Sequence, residues 1–502
     1  MSTLTALARA QALATGAAQP IATVRHLHLA DRPLVFVPLT MAGEANAPLA
    51  ALVGADPEHP RLLIVPQPRN RDQRFAFAAA LAAELLPYVD GLRGVAEAVP
   101  IDRGRDVRHR YVDAPQLLVP NAAGISFVRL FGRSTRFRRT DGDYPVHPSV
   151  PLLGRWLTFL ADRAEHPGSS TLLAMTDALT LHWATGQSAM EDQNLAALLG
   201  WISPPPGVSG VVAAAEAEDP AIWPPAGPVT DPGFDNERLA PAIAAYEAAL
   251  DDEGARLLAY AELERLLRGQ LQPTWELMWR GVALLRALPP GARVEPRWAA
   301  DRDAFTDYAN YVESEESYPQ PRRDGAVAAA QRLDRLERAQ ASYAAQRAYD
   351  DPLVMAGHRL TGEAFAGVVT MAKPDRVDDT GKRPVLRPRI MVLTSDPVLM
   401  APGAALYSPA RPSQKGTVVF VTPAPDGAKT EVVLELSGGM GRSLTPPPGS
   451  VPEVGERITY TTLSEAYRPG ASFPAREETP WTHGGPPTDH VPTERDATED
   501  WS

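Results

Sequence analysis

Short apolar runs bounded by proline mark the first part of the chain. Residues 33–38 (Pro-Leu-Val-Phe-Val-Pro) and 62–65 (Leu-Leu-Ile-Val) have the length and composition of buried strands. Residues 22–29 alternate, with Val24 set against His26 and His28, and read as another strand; so do 116–119 and 125–131. Residues 5–18 are alanine-rich and suit a short helix. Residues 74–89 suit a longer one, expected to end near Pro87. Strands mixed with helix predict an α/β layered domain over 1–147.

The period changes to 3.6 after Pro148. Leu152, Trp156, Phe159 and Leu160 share one helical face, and Leu172, Met175, Leu179 and Trp183 a second. With a third helix at 191–201, residues 148–202 read as a helical extension of the first domain. Residues 203–234 are proline-rich and read as a linker or surface segment. Residues 235–356 read as a helical domain. Leu239, Ile243, Tyr246 and Leu250 mark its first helix. Leu257, Leu258, Leu263, Leu266 and Leu267 mark the next, and Trp275, Met278, Trp279, Val282 and Leu285 a third. A long last helix covers 323–349, about 40 Å at ~1.5 Å per residue. Five runs then read as strands (364–371, 390–394, 417–422, 431–436, 457–461), which predicts a small β-barrel over 357–465. Residues 466–502 are polar, proline-rich and acidic, and predict disorder. The whole is a multidomain α+β chain.

Composition narrows the chemistry. The 502 residues include no cysteine, which excludes disulfides, thiolate metal sites and cysteine nucleophiles. Residues 1–20 lack a basic stretch leading into an apolar run, and no stretch has the roughly 18 apolar residues of a membrane span. A cytoplasmic chain with no membrane contact is the expectation. The formal net charge is −12, yet residues 101–140 hold nine arginines (Arg103, Arg105, Arg108, Arg110, Arg129, Arg133, Arg136, Arg138, Arg139) against three aspartates. A basic island in an acidic chain points to an anionic partner. Arginine grips phosphates bidentately and stacks on bases, and Phe137 and Tyr111 could add stacking. The alternative use of these arginines is internal, as ion pairs to the acidic helical region.

Gly438-Gly439-Met440-Gly441-Arg442-Ser443 is glycine-rich but does not open a helix, so it reads as a hairpin tip rather than a phosphate loop. On a strand, His26 and His28 would share a face, and with Asp31 they form a candidate metal set that needs further ligands. No Gly-x-Ser-x-Gly elbow occurs. Asp303, Asp307, Glu313, Glu315 and Glu316 lie among Phe305, Tyr308, Tyr311 and Tyr318. They read as an acidic, aromatic patch for a basic partner rather than as a catalytic pair.

The β segment from Gly416-Thr417-Val418-Val419-Phe420-Val421 through Glu431-Val432-Val433-Leu434-Glu435-Leu436 to Pro452-Glu453-Val454-Gly455-Glu456-Arg457 resembles the small β-barrels that flank superfamily 1 helicase cores. The wider layout is carried by Pro33 to Pro38, Ala184-Thr185-Gly186-Gln187 to Trp201-Ile202, and Leu360-Thr361-Gly362. It resembles uncharacterised high-GC bacterial chains encoded beside such helicases or AAA-type ATPases. The chain has none of the helicase motifs, so the resemblance implies a partner protein and brings no catalytic residue. The expected function is that of a non-enzymatic accessory or adaptor protein without a cofactor. It would work with a nucleic-acid-dependent motor ATPase and contact DNA or RNA through the arginine-rich surface. The alternatives are a metal-dependent hydrolase using His26, His28 and Asp31, and a structural scaffold.

Overall fold

A computed structural model of the chain describes residues 3–43, 47–101, 104–314, 326–381, 383–425, 427–465, 470 and 472. Arg103, Glu315, Glu316, Tyr318 and, apart from Gly470 and Ser472, the tail expected at 466–502 lie outside these residues. The chain divides into two compact units. Of the described residues, one comprises 8–20, 25–336 and 472; the other holds 3–7, 21–24 and 337–470. The division falls within one helix, Ala326–Asp350.

Helix α1 covers Thr3–Thr15. The first unit is built on five strands: β1 (Leu34–Thr40), β2 (Pro48–Gly54), β3 (Arg61–Ile64), β6 (Leu117–Val119) and β7 (Leu172–Ala174). They lie in the order β3-β2-β1-β6-β7, antiparallel from β3 to β1 and parallel from β1 to β7. Every residue of β1 is buried, as a strand covered on both faces requires. Pro38 lies within β1, but β6 pairs only with Leu34 and Val35, so the missing N–H falls beyond that ladder. Between β3 and β6 come helix α2 (Arg71–Gly91) and a two-stranded hairpin, β4 (Ala96–Ile101) with β5 (Asp106–Tyr111).

Alternate residues of β1 serve two cores. Leu34 and Phe36 face α2, α3 (Ala122–Thr135) and α4 (Ser149–Ala164) through Phe77, Leu81, Phe127, Phe131, Leu153 and Leu157. Val35, Val37 and Leu39 face α6 (Leu195–Ile202) and α9 (Glu253–Arg286), through Leu198, Leu267, Leu271, Trp275 and Met278. The result is a helix–sheet–helix sandwich.

Four local expectations need correction. Residues 125–131 form the middle of α3, not a strand. Gly124, Phe127, Val128, Phe131 and Thr135 are buried at helical spacing, and Asn121 caps the start. The face 172–183 splits into β7 and a short α5 (Met175–Thr180), because Leu172 and Ala174 complete the sheet. Pro87 does not end α2. The helix continues to Gly91, with Leu85 and Val89 buried on either side of the proline. The two helices expected at 257–267 and 275–285 are one, α9, 34 residues long and continuous through Pro273. Several strands went unanticipated: β2, whose Ala-rich sequence lacks β-branched residues apart from Val53, the β4–β5 hairpin and the barrel strand Ala405–Ser408. Within the expected helical domain, α10 (Val294–Glu313) contributes Trp298, Phe305 and Ala309 to the core. The proline-rich stretch 203–234 holds α7 (Gly210–Glu218), and its Ala214, Ala217 and Ala226 join the α6–α9 core.

Between α7 and α9 runs α8 (Ala240–Ala248). Beyond α10 come α11 (Ala326–Asp350) and α12 (Pro352–Leu360), which lead into the second unit. That unit is a closed six-stranded barrel of β8 (Ala364–Lys373), β9 (Arg389–Thr394), β10 (Ala405–Ser408), β11 (Arg411–Pro423), β12 (Thr430–Ser437) and β13 (Arg457–Thr461). The strands pair in the order β8-β9-β12-β11-β10-β13, and β13 closes on β8. Phe365, Ile390, Val392, Leu406, Val432, Leu434 and Tyr460 fill the interior. Bulges at Val369/Met371 and Val418/Phe420 accommodate the curvature. Gly367 sits at a close crossing, where a Cβ would stand 2.4 Å from the Leu393 carbonyl oxygen. The glycine run expected as a hairpin tip follows β12 as a turn, with positive φ at Gly438, Gly439 and Gly441. No helix among the described residues is long and apolar enough to cross a membrane.

Candidate nucleic-acid interface

The arginine segment divides into two groups. On the β4–β5 hairpin, Arg108 reaches Asp307 at 2.7 Å and Asp303 at 3.7 Å. Arg110 reaches Glu97 at 2.6 Å and Asp303 at 3.5 Å. On α3, Arg129 pairs with Glu165 at 2.8 Å. These arginines neutralise carboxylates of their own unit. The expected acidic patch is accordingly not a free surface. Its Asp303 and Asp307 are paired, Glu313 meets Arg93, and Phe305 and Tyr308 pack into the core against Trp156. Arg105 is exposed at the base of the hairpin turn.

The second group gathers where the end of α3 meets the start of α2. Gly132 and Gly154 let α3 and α4 approach until a Cβ on Gly154 would lie 2.2 Å from the Arg136 nitrogen. That contact fixes where the chain leaves α3. Arg136 lies over the Phe137 ring at 4.3 Å, and Phe137 itself is buried. Arg138 Nε donates to the Ser134 carbonyl at 2.7 Å, and its guanidinium stands 5.1 Å from the Phe75 ring. Arg139 meets only the exposed Asp141, a pair worth little. Arg133 is exposed.

Helix α2 adds arginines outside the 101–140 segment. Asn70 caps the helix by accepting from the backbone N–H of Asp72 and Gln73, so its first amides are occupied. Arg71 lies 4.7 Å from the Phe75 ring, pairs with Asp72 and donates to the Tyr144 carbonyl. Arg74 follows one turn on. Arg71, Arg74, Phe75, Phe131, Ser134 and Arg138 line a cavity of about 160 Å³. Among the described residues, neither the Arg74 nor the Arg133 guanidinium has a carboxylate partner. The sequence signal for this addition was the run Arg69-Asn70-Arg71-Asp72-Gln73-Arg74, with arginines on both sides of the helix-capping Asn70. Only the fold places that run beside residues 134–138.

The candidate metal set is not brought together. Residues 22–29 form no strand beyond a bridge from Arg25 to Pro290, so His26 and His28 do not share a strand face. His26 is fully buried, and its backbone N–H donates to Nε2 of His182 at 3.0 Å. His182 Nδ1 lies 2.7 Å from the Ala178 carbonyl and must carry the proton. His28 stacks flat on Trp298, centroids 4.0 Å apart. Among the described residues no group of three His, Asp or Glu could hold a metal ion.

Burial, with the charges of Arg25 and Arg302, pushes the His28 imidazole down to about 4, against a small opposing effect of Asp31. Its neutral form therefore stabilises the fold fully above the ordinary histidine value of about 6.5, and that contribution fades as pH falls through about 4. The loss is at most about 3.5 kcal/mol, since a tenfold change in proton affinity is worth about 1.4 kcal/mol. Thermal melts across this window should show a flatter pH dependence for His28→Phe than for wild type. Parallel profiles would refute the assignment.

Comparison with protein-family models, with curated proteins and with solved structures gives no match to this chain.

Proposed function

We propose that the protein is a non-enzymatic accessory or adaptor that holds a nucleic-acid backbone on the arginine-rich face formed by the end of α3 and the start of α2. It works there beside a nucleic-acid-dependent motor ATPase. The observation that carries the binding is the placement of Arg74 and Arg133. Among the described residues neither guanidinium has a carboxylate partner, whereas Arg108, Arg110 and Arg129 are paired within their own unit; Arg74 lines the cavity beside Arg71 and Arg138, and Arg133 is exposed on α3. Phosphates are the ligands such cations favour, and the binding then depends steeply on salt. The motor partner rests on the resemblance of the barrel sequence and chain layout to helicase-associated proteins.

Filter binding of labelled DNA and RNA across a salt series tests the contact. Arg74→Glu with Arg133→Glu should weaken binding and lower the slope of log K against log salt by about 2, near 1 per phosphate contact. Equal affinity and slope for variant and wild type would sink the nucleic-acid reading. For the partner, material co-purifying with the full chain should hydrolyse ATP faster when nucleic acid is added, and the chain alone should not. Co-purification of no such activity would sink that part.

A further inference from the structure

The cavity between α2 and α3 has a shape and lining that go further than phosphate binding. Phe75 and Phe131 line it together with Arg71, Arg74 and Arg138. Phe75 holds two of those guanidiniums in place, 4.7 and 5.1 Å from its ring. A site for a phosphate alone has no use for apolar walls. At about 160 Å³ the cavity is also smaller than the roughly 300–1,000 Å³ of pockets that enclose a whole drug-sized ligand. It fits one planar group of a larger anionic molecule.

We propose that this cavity receives a single unstacked base of single-stranded DNA or RNA, with the flanking phosphates held by Arg74 and Arg138. The inference rests on the nucleic-acid reading above and adds the strand form. A base in a duplex is paired and stacked, and cannot enter a lateral pocket without being flipped out at a cost of a few kcal/mol. A single strand offers its bases freely, and guanidinium planes and aromatic side chains are the surfaces on which such bases stack. These cations then track the backbone, which gives binding that tolerates many sequences.

Fluorescence anisotropy on the full chain tests this, with a labelled single-stranded oligonucleotide and the duplex of the same sequence at low salt. The single strand should bind at least about tenfold more tightly, the effect of one stacked base. Phe75→Leu keeps apolar volume but removes the ring that orders the guanidiniums. Ser134→Leu leaves every arginine in place and fills the cavity. Both should weaken single-strand binding about tenfold; Ser134→Leu should leave duplex binding unchanged, whereas Phe75→Leu, which also releases Arg71 and Arg138, should weaken duplex binding by less than single-strand binding; a melt of each variant shows that it is folded. If the wild type binds both forms equally, or if both folded variants bind the single strand like wild type, the base pocket is overturned while the arginine surface stands. Competition by free mononucleotide at equal nucleotide concentration would also overturn it, in favour of a small-molecule site. If the wild type binds neither form, the nucleic-acid reading fails, and this inference with it.

Discussion

Asp301→Ala is expected to destabilise the sandwich unit by about 3–5 kcal/mol, the cost of stranding one partner of a buried ion pair. Asp301 lies on α10 and is 1% exposed. One carboxylate oxygen accepts from Arg163 at 2.5 Å and from Ser169 Oγ at 2.8 Å; the other accepts from the Ser170 backbone N–H at 2.7 Å. Ser170 in turn accepts from the His28 N–H through its hydroxyl and from Gln116 through its carbonyl. The carboxylate thus anchors α4, the segment before the edge strand β7, and the irregular segment around His28. Its removal leaves a half-buried guanidinium and a buried amide without their acceptor. Thermal and urea melts measure the loss. Asp301→Ala with Arg163→Met should recover part of it, because no charge is then stranded. A single variant within about 0.5 kcal/mol of wild type, the range of an ordinary surface change, would refute the anchoring role.

Gly154→Ala should act through geometry rather than charge. The added Cβ would stand 2.2 Å from the Arg136 nitrogen, 2.5 Å from its Cα and 2.7 Å from Thr135 Oγ1. Backbone atoms cannot rotate away as a side-chain tip can, so α3 and α4 must separate. Overpacking of this kind costs about 1–3 kcal/mol and more where backbone has to move. The end of α3 also sets the positions of Ser134 and Arg138, so the proposed nucleic-acid binding should fall together with stability. Gly269→Ala on α9, where a Cβ meets nothing within 4 Å, is the matched control. It should be neutral or stabilising by up to about 1 kcal/mol, since alanine favours helix. Equal melting of Gly154→Ala and wild type would show that the two helices are less tightly apposed than the structure has them.

Some of the molecule was legible in local pattern. The barrel was, because its strands alternate cleanly and glycine or proline punctuates the turns. Residues 389–394 alternate partly and fully buried positions along their whole length. Strand β1 was legible for the opposite reason: an apolar run between prolines can only be buried on both faces. Residues 125–131 misled because Ile125, Phe127, Val128, Leu130 and Phe131 suit a strand by composition. The deciding spacing, Gly124–Phe127–Val128–Phe131, is clear only against the packing of α4.

The sequence by itself determined where apolar surface had to be buried, the closed β module, the helical character of residues 235–313, and the concentration of arginine in 101–140. Those properties depend on neighbours a few residues away. Tertiary structure alone decided what each surface meets. It made α9 the second helical layer of the sheet, since only the folded sheet has a second apolar face to cover. It paired Arg108, Arg110 and Arg129 with carboxylates from 97 to 307, because opposite charges far apart in the chain find each other only once packing sets their distance. And it assembled the cavity from two stretches some sixty residues apart, 71–75 and 131–138, drawing in Arg71 and Arg74, which no count over 101–140 could have included.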